Sequence, residues 1–259
     1  MTTQWQPLTD YQWAAISPFF NLQRKRKHDL RQILDVILWL LRTGCQWRNL
    51  PPGWPHWQAV YYYFDQWKGK GTFEQINAAL NQLDRLHKNR QADPSVLCID
   101  SQSVKLSPMI DNYRGTDAHK RINGRKRTFA VDTQGRLWVA DVDAANQADG
   151  QLGKQLISSI LWRVGARLEK VFGDQAYNGI FADELAGWSI DFEKASRPES
   201  ARGFVPVAKR WVVERSIAWT NFFRRVTKDY EHTVSSSVNW LYLANIQIML
   251  QRIDAQYRT

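Results

Sequence analysis

The sequence predicts an α/β protein in which an all-helical N-terminal region is followed by a sheet flanked by helices. Two features support this prediction. Residues 1–90 carry apolar side chains at helical spacing between capping residues and glycine stops. The polar segment KNRQADPSV (88–96) has the composition of a linker, and after it short apolar runs of strand length alternate with helical stretches. We therefore expect two domains, at residues 1–90 and 91–259.

The N-terminal helices have recognisable start and stop signals. LTDYQWAAISPFF begins at a cap, Thr9 or Asp10, and HDLRQILDVILWLLRTG stops at Gly44. A short helix, a PPGW turn and a second helix from about His56 to Trp67 follow. Two helices joined by a tight Pro/Gly turn are compatible with a helix-turn-helix, although any αα-hairpin shares this pattern.

The remaining elements follow from apolar runs and turn residues. VLCID (96–100) is a continuous apolar run ending in Asp100, as expected for a buried central strand. RTFAVD and RLWVADVD flank TQG, which predicts a hairpin near 127–143. The further predicted elements are a helix at about 148–165, a strand LEKVFGD ending in Asp174, a helix near GIFADELAG, a short strand in WSIDFEKA, a long helix from about Pro206, and a last amphipathic helix, VSSSVNWLYLANIQIMLQRI.

Composition limits the classes of partner and compartment. The net charge of +10 and the pI of about 9.7 favour a polyanionic partner, with nucleic acid first. A membrane-surface protein is the alternative, but the longest apolar run, ILDVILWLL, is too short to span a bilayer, and no lipidation motif is present. The N-terminus lacks a signal-peptide core, and Cys45 and Cys98 lie in apolar contexts without zinc spacing. These features favour a reducing cytoplasm.

Basic residues are concentrated in three segments. Residues 1–90 hold 12 Lys/Arg against 6 Asp/Glu, with RKRK at 24–27 as the densest part. Residues 114–127 hold six against one, and residues 209–228 also hold six against one. Each segment is either a solvated surface or a contact for DNA phosphates, where cations displace counterions from the duplex.

Three acids are candidate metal ligands because of their positions. Asp100 and Asp174 each end a predicted strand, and ligands collect just beyond the carboxyl ends of strands in α/β sheets. Two such carboxylates suit divalent cations such as Mg²⁺, and a two-metal site promotes in-line phosphoryl displacement. The alternative for each is a turn or capping role. Of the other aspartates, Asp132, Asp141, Asp143 and Asp149 are interpreted as turn or structural residues, with Asp141 or Asp143 as an alternative ligand.

Glu214 is the third candidate, on the predicted long helix. At 100° per residue it shares a stripe with Arg210, Asn221, Arg225 and Lys228. The apolar side lies opposite, and Ala218 leaves space one turn beyond the carboxylate. The alternative is a surface pair between Arg210 and Glu214, but the stripe carries more cations than one acid requires.

Five motifs together resemble the DDE transposases of bacterial insertion sequences, specifically the family numbered five. They are WRNLPPGWPHWQAVYYYFDQW, IDSQSVK, KRINGRKRTFAVDTQG, FGDQAYNG and RWVVERSIAWTNFFRRVTKDYE, and they extend over nearly the whole chain. The resemblance implies a ribonuclease-H-like mixed sheet with Asp100, Asp174 and Glu214 as the acid triad. It also implies two Mg²⁺ ions, with Mn²⁺ as a substitute, which activate water to nick the ends of the element before the freed 3′-hydroxyl attacks target DNA.

The partners implied are double-stranded DNA, as inverted-repeat ends and as target, and a second copy of the chain, because two ends are brought together. The bacterial protein would be cytoplasmic and nucleoid-associated when bound, with no membrane partner. The residues expected to contact DNA are Arg24, Lys25, Arg26, Lys27, Arg48, Lys105, Lys120, Arg125, Lys126, Arg127, Arg210, Arg225 and Lys228.

The sequence departs from the family at one motif. Related transposases carry a Tyr-Arg-Glu-Lys signature around the glutamate, and here Val207 and Asn221 stand at the Tyr and Lys positions. We expect Arg225 or Lys228 to supply the missing cation. Two alternatives to an active transposase are a metal-dependent nuclease without strand transfer and a domesticated, catalytically silent DNA-binding protein; the three intact acids argue against the second.

Overall fold

The computed structural model describes residues 5–195 and 210–257, without the side chains of Arg210, Gln256 and Tyr257. In the N-terminal part the helices are α1 (Asp10–Ile16), α2 (Leu30–Thr43), α3 (Trp57–Gly69) and α4 (Thr72–His87). The strands are β1 (Val96–Lys105), β2 (Gly115–Asp117), β3 (Ile122–Asp132), β4 (Leu137–Ala144), β5 (Lys170–Gly173) and β6 (Asp191–Lys194). The helices after β4 are α5 (Asp149–Val164), α6 (Ile180–Gly187), α7 (Arg210–Thr220), α8 (Arg224–Thr227) and α9 (Val234–Tyr257).

The predicted helix ends are confirmed in the N-terminal region. Thr9 caps α1 through a capping box, in which its hydroxyl accepts from the Gln12 amide at 3.1 Å and the Gln12 side chain accepts from the Thr9 amide at 3.0 Å. Gly44 ends α2 with a φ of 70°, a left-handed conformation that glycine adopts without strain. All regular secondary structure within residues 5–90 is helical, as the sequence predicts.

The sheet is mixed, with strand order β4–β3–β1–β5–β6 and the short β2 beside the start of β3. Strand β3 runs antiparallel to both of its neighbours, β1 and β4, whereas β5 runs parallel to β1 and β6 runs parallel to β5. The β3–β4 hairpin lies where the sequence predicts it. The prediction of a mixed sheet flanked by helices, behind an N-terminal helical region, is confirmed.

Helices cover both faces of the sheet. One face carries Cys98, Phe129 and Phe172 and packs against α7, α9 and the N-terminal helices in one large core. The other face carries Ile99 and Val171 and packs against α5 and α6 in a second core. The alternation follows from the two-residue period of strands. Each side chain of the central strand β1 is therefore assigned to a face by its position alone.

The N-terminal helices and the sheet are joined by buried polar contacts as well as by the shared core. Arg85 of α4 pairs with Asp132 at 2.7 Å, and Arg136 pairs with Asp84 at 2.6 Å and with Asp132 at 3.0 Å. All four side chains are buried. Moving α4 away from the β3–β4 turn would leave buried charges without partners, which is energetically costly. The network therefore holds α4 against this turn.

Several predictions differ from the structure. Strand β1 does not end at Asp100 but continues to Lys105, because β3 pairs with it along its whole length, from Leu97 opposite Asp132 to Lys105 opposite Gly124. Much of the basic segment 114–127, which precedes the hairpin predicted near 127–143, lies in strands β2 and β3. The predicted long helix also differs.

That helix is interrupted. Helix α7 ends at Thr220, and Phe223 adopts an extended conformation in which it is 1% exposed. The expected start at Pro206 lies outside the described residues.

The last helix, α9, is buried on all sides rather than amphipathic. Every residue from 239 to 250 is buried. It contacts α4 and β4 most extensively and also touches α1, α2, α3, α7 and α8. Within residues 5–195 and 210–257, no helix is both long and apolar enough to span a bilayer.

Candidate active site

Asp100 and Asp174 lie on the same face of the sheet, next to each other. Cys98 of β1 pairs in register with Phe172 of β5, and both belong to the large core. Asp100 follows Cys98 by two residues, and Asp174 follows Phe172 by two. The two-residue period of a strand therefore places both aspartates on that same face. Both side chains are half-buried and line one narrow crevice. The structure therefore brings together the two aspartates that the sequence singles out.

Helix α7 places Glu214 beside this crevice. Val212, Val213 and Ile217 are buried against the sheet face that carries Cys98. Val213 also lines the crevice with Asp100 and Asp174. Glu214 follows directly and is exposed, as is Ala218 one turn later. The predicted orientation of α7, with its apolar side inward and Glu214 outward, agrees with this arrangement.

Backbone amides hold both aspartates in place. The Asp174 carboxylate caps the 3₁₀ turn Gln175–Tyr177 by accepting from the Ala176 amide at 2.9 Å. The Asp100 carboxylate accepts from the Ser101 amide at 2.7 Å.

Tyr177 is a site residue that the sequence analysis did not identify. Its ring is fully buried, and burial raises the pKa of its hydroxyl well above the ordinary value. The negative charges of Asp149 and Asp100 and, more weakly, Asp174 raise this pKa further. The phenol therefore stays protonated at neutral pH, close enough to three carboxylates for their charges to act on it. The only sequence signal is its position three residues after Asp174 in FGDQAYNG.

Asp149 supports the site from the opposite face of the sheet. Its carboxylate accepts from the Ser101 hydroxyl at 2.6 Å and pairs with Lys126 at 3.1 Å. Ser101 follows Asp100 and points the other way along β1. Asp149, which the sequence analysis interprets as a turn or structural residue, is thus tied to the strand segment that carries Asp100. Nearby, the Lys120 ammonium donates to the Ser101 carbonyl at 3.5 Å.

Asp141 and Asp143, the alternative ligands, lie on β4, two strands away from β1. Their neighbours Ala140 and Val142 face the large core, so Asp141 and Asp143 point to the other face of the sheet. The structure therefore separates them from Asp100 and Asp174.

Four of the cations expected to contact DNA are in the interior. Arg125 and Arg127 pair with buried Asp229 at 3.3 and 3.8 Å. Lys126 is occupied by Asp149, as described above. Arg225 pairs with Glu231 at 2.6 Å and donates to the Cys45 carbonyl at 3.0 Å. These side chains link strands, turns and helices, so they are not on the surface where DNA contacts were expected.

The other expected cations lie nearer the surface. Those exposed are Arg24, Lys25, Lys27, Arg48, Lys105 and Lys120, and those half-buried are Arg26 and Lys228. The Arg210 side chain lies outside the described residues, as does Val207. Because α7 ends at Thr220, the expected stripe that joins Glu214 to Arg225 and Lys228 on one continuous helix is wrong. Asn221 lies in the turn after α7 and is half-buried.

The donor set at the crevice suits a hard divalent cation. Asp100 and Asp174 provide carboxylate oxygens, which Mg²⁺ and Mn²⁺ prefer, on neighbouring strands of one sheet face. In the part of the chain that the structure describes, no three His, Cys, Asp or Glu side chains are close enough to hold one ion. The fit therefore rests on the two aspartates, with Glu214 at the rim.

Two family models match the chain. The model described as "Transposase DDE domain" matches residues 91–249. The model described as "Putative transposase of IS4/5 family" matches residues 8–77. A curated relative from Sinorhizobium fredii, "Uncharacterized protein y4sN", is 32% identical over 102 residues, which are 38% of this chain and 75% of that protein.

Solved structures of Mos1 are distant matches. The Mos1 strand transfer complex is 10% identical with a TM-score of 0.31, over 91% of this chain and 78% of that one. The Mos1 transposase paired-end complex with the left transposon end is 11% identical with a TM-score of 0.33, over 94% and 83%. The family models decide the assignment, because the first spans more than half of the chain. The chain therefore belongs to the transposases with a DDE domain, and its N-terminal part is similar to the IS4/5 family model.

Proposed function

We propose that the protein binds the terminal inverted repeats of an insertion sequence, cleaves the DNA ends and joins them to target DNA with Mg²⁺. Mn²⁺ is the expected substitute, and two copies of the chain are expected to bring two ends together. The observation that carries the proposal is the placement of Asp100 and Asp174 side by side on one sheet face, with α7 presenting Glu214 beside them.

The three acidic side chains and the bound cations would have different roles in the reaction. Asp100 and Asp174 would hold the cation through their carboxylate oxygens, and Glu214 would add a third carboxylate from the rim of the crevice. When bound, a pair of divalent cations stabilises the attacking and leaving oxygens of an in-line displacement at phosphorus. The reaction needs no protein nucleophile, since water and then the 3′-hydroxyl attack. The backbone turn that Asp174 caps and the two cores on either side of the sheet support the positions of the carboxylates.

Exposed cations near the crevice suit the incoming phosphates. Lys120 lies against the Ser101 carbonyl beside Asp100, and Lys105 ends the same strand. We propose the division into an end-binding part, residues 1–90, and a catalytic part, residues 91–259, as a division of function. Residues of both parts belong to one core, and we therefore propose that the two parts fold as one unit.

A joining assay tests this function. The full chain is mixed with Mg²⁺, a linear duplex carrying the inverted repeats that flank its gene, and a supercoiled target plasmid. The proposal predicts end cleavage followed by joined products, visible as linear and tailed plasmid. Cleaved ends that accumulate without joining would show a nuclease instead. Binding without cleavage in Mg²⁺ and in Mn²⁺ would show a silent DNA-binding protein.

A further inference from the structure

Helix α3 presents a polar stripe to solvent. Its buried side consists of Val60, Phe64 and Trp67. Gln58, Tyr62 and Gln66 are exposed at intervals of four residues, so they lie one above another on the outer side. Within residues 5–195 and 210–257, neither the Gln58 nor the Gln66 side-chain amide makes a hydrogen bond inside the protein. A glutamine amide can both donate and accept, and it pairs bidentately with adenine in the major groove.

Cations flank the C-terminal end of this stripe. A groove of about 510 Å³ has Tyr62, Gln66 and Lys70 along one side and the basic run at 24–27 along the other. It contains five Lys/Arg, and none of its described lining residues is an Asp or Glu. Among those five cations no ion pair forms inside the described part of the chain. A surface that gathers five uncompensated positive charges fits a polyanion.

A cation also lies at the N-terminal end. The Arg48 guanidinium is 5.2 Å from the centre of the Trp57 ring and is exposed. On the helix itself, the exposed Asp65 is neutralised by Lys68 at 2.7 Å. Positive charge therefore brackets the polar stripe at both ends. A groove of DNA has base edges in its middle and a phosphate backbone on each side. The hydrogen-bonding side chains of the stripe match the base edges, and the cations at its two ends match the phosphates.

We infer that α3 lies in the major groove of duplex DNA, with Gln58 and Gln66 contacting base edges. Arg48, Lys70 and the basic run at 24–27 then contact the flanking phosphates. The dimensions agree, because a helix about 10–12 Å across fits a groove about 12 Å wide. This inference rests on the proposed function for its partner, and it adds which residues select the sequence.

The geometry also sets a spacing. Eight residues separate Gln58 from Gln66, which is about 12 Å along a helix. At about 3.4 Å per base pair this corresponds to roughly three to four base pairs. The site selected by the protein should therefore contain two A·T pairs at about that separation, each read by one glutamine.

The test is in vitro selection with the full chain from a library of duplexes with a randomised core, in EDTA so that only binding is measured. Gln58→Ala and Gln66→Ala should each relax preference at one position by about 10-fold while leaving the other unchanged. Gln155→Ala is the matched control, an exposed glutamine on α5, and should select the wild-type site. Equal unfolding midpoints confirm that the variants are folded.

The basic groove is tested separately. Lys25→Ala combined with Lys27→Ala should weaken binding to all sequences alike and lower the slope of log affinity against log salt by about two. Selection of no motif by the wild type, or an unchanged motif in both glutamine variants, would overturn the inference. An unchanged salt slope, or competition by an acidic polypeptide as effective as by DNA, would also overturn it. Because no cleavage is measured, these outcomes are independent of the joining assay.

Discussion

The position of each acid within its strand decides whether it belongs to the candidate site. Asp100 and Asp174 end apolar runs in the sequence, which is enough to propose them as a pair. Asp143 has a similar sequence context, yet it faces the other side of the sheet because Val142 beside it faces the large core. The face to which a strand residue points can be predicted from sequence only when it is known which face each alternate residue occupies. The structure shows this.

The interior cations illustrate the limit of sequence reasoning at the residue scale. Arg125 appears in the sequence as part of a basic run, but its partner Asp229 is 104 residues away. Local composition counts six cations against one acid and therefore predicts a basic surface. Long-range pairing makes two of these arginines structural instead. The same reason explains why Asp149 and Tyr177 were not predicted as neighbours of Asp100.

One titratable residue gives a prediction about stability. Burial raises the pKa of Asp35 on α2 from 3.8 to about 6, although its hydrogen bond from the Leu8 amide at 2.7 Å lowers it. A raised carboxyl pKa stabilises the folded state fully below pH 3.8, and this contribution is lost as the pH rises through 6. In Asp35→Asn the side-chain amide oxygen can still accept the hydrogen bond from the Leu8 backbone amide, and the side chain has no carboxylate that becomes charged.

Asp35→Asn is therefore expected to be more stable than the wild type at pH 7 by about 1–3 kcal/mol, with the advantage shrinking towards pH 4. Urea unfolding of both proteins at the two pH values measures the difference. An advantage that is equal at pH 4 and pH 7, or absent at pH 7, contradicts the assignment.

At the scale of elements, the β3–β4 turn fixes the position of α7. The Ser216 hydroxyl donates to the Gly135 carbonyl at 2.9 Å, and Arg215 donates to the Gln134 carbonyl at 3.0 Å. Gly135 has a φ of 83°, and a Cβ there would lie 2.6 Å from the Ser216 hydroxyl oxygen. A glycine is thus needed both for the turn and for the close approach of the helix that carries Glu214.

Gly135→Ala is expected to push α7 away from the sheet. We predict a loss of about 1–3 kcal/mol of stability from overpacking and backbone strain. Cleavage should fall markedly because Glu214 moves, whereas binding to DNA by the N-terminal helices should change little. Gly187→Ala is the control, since a Cβ at that position has no atom within 4 Å. Wild-type cleavage by Gly135→Ala would show that this contact does not position Glu214.

Most elements could be predicted from periodicity and caps, and the exceptions share a cause. Polar residues after Asp100 suggested that β1 ends there, but pairing with β3 extends it to Lys105. Helical propensity suggested a helix through Arg225, but burial of Phe223 in an extended conformation interrupts it. In both cases tertiary contacts outweigh local preference, which is a weak determinant of structure.

At the scale of the whole molecule, α9 unites the two parts of the chain. It packs against α4 of the N-terminal part and against β4 of the sheet, and its residues from 239 to 250 are all buried. Asn245 extends this link, because its amide donates to the side chains of Asn77 at 2.6 Å and Asn81 at 3.1 Å. The N-terminal helices therefore depend on the C-terminal helix for their core.

Residues 1–90 expressed alone are accordingly expected not to fold cooperatively. The fragment exposes the apolar surfaces of α2 and α4 that α9 covers in the full chain. Tryptophan fluorescence during urea titration is the measurement, because the fragment contains seven tryptophans. The full chain should show a sharp transition and the fragment a gradual drift. A sharp transition in the fragment would mean that the N-terminal helices form an independent domain.

The central claim is that Asp100, Asp174 and Glu214 act as one cation-binding set. Single-turnover cleavage of inverted-repeat DNA with Mg²⁺ tests it most directly, in four variants that each exchange a carboxylate for an amide. Asp100→Asn, Asp174→Asn and Glu214→Gln should each lower the rate at least about 100-fold while binding DNA normally. Asp143→Asn, on the opposite face, should cleave like the wild type. Normal cleavage by any of the first three, or an equal loss in Asp143→Asn, would contradict the claim.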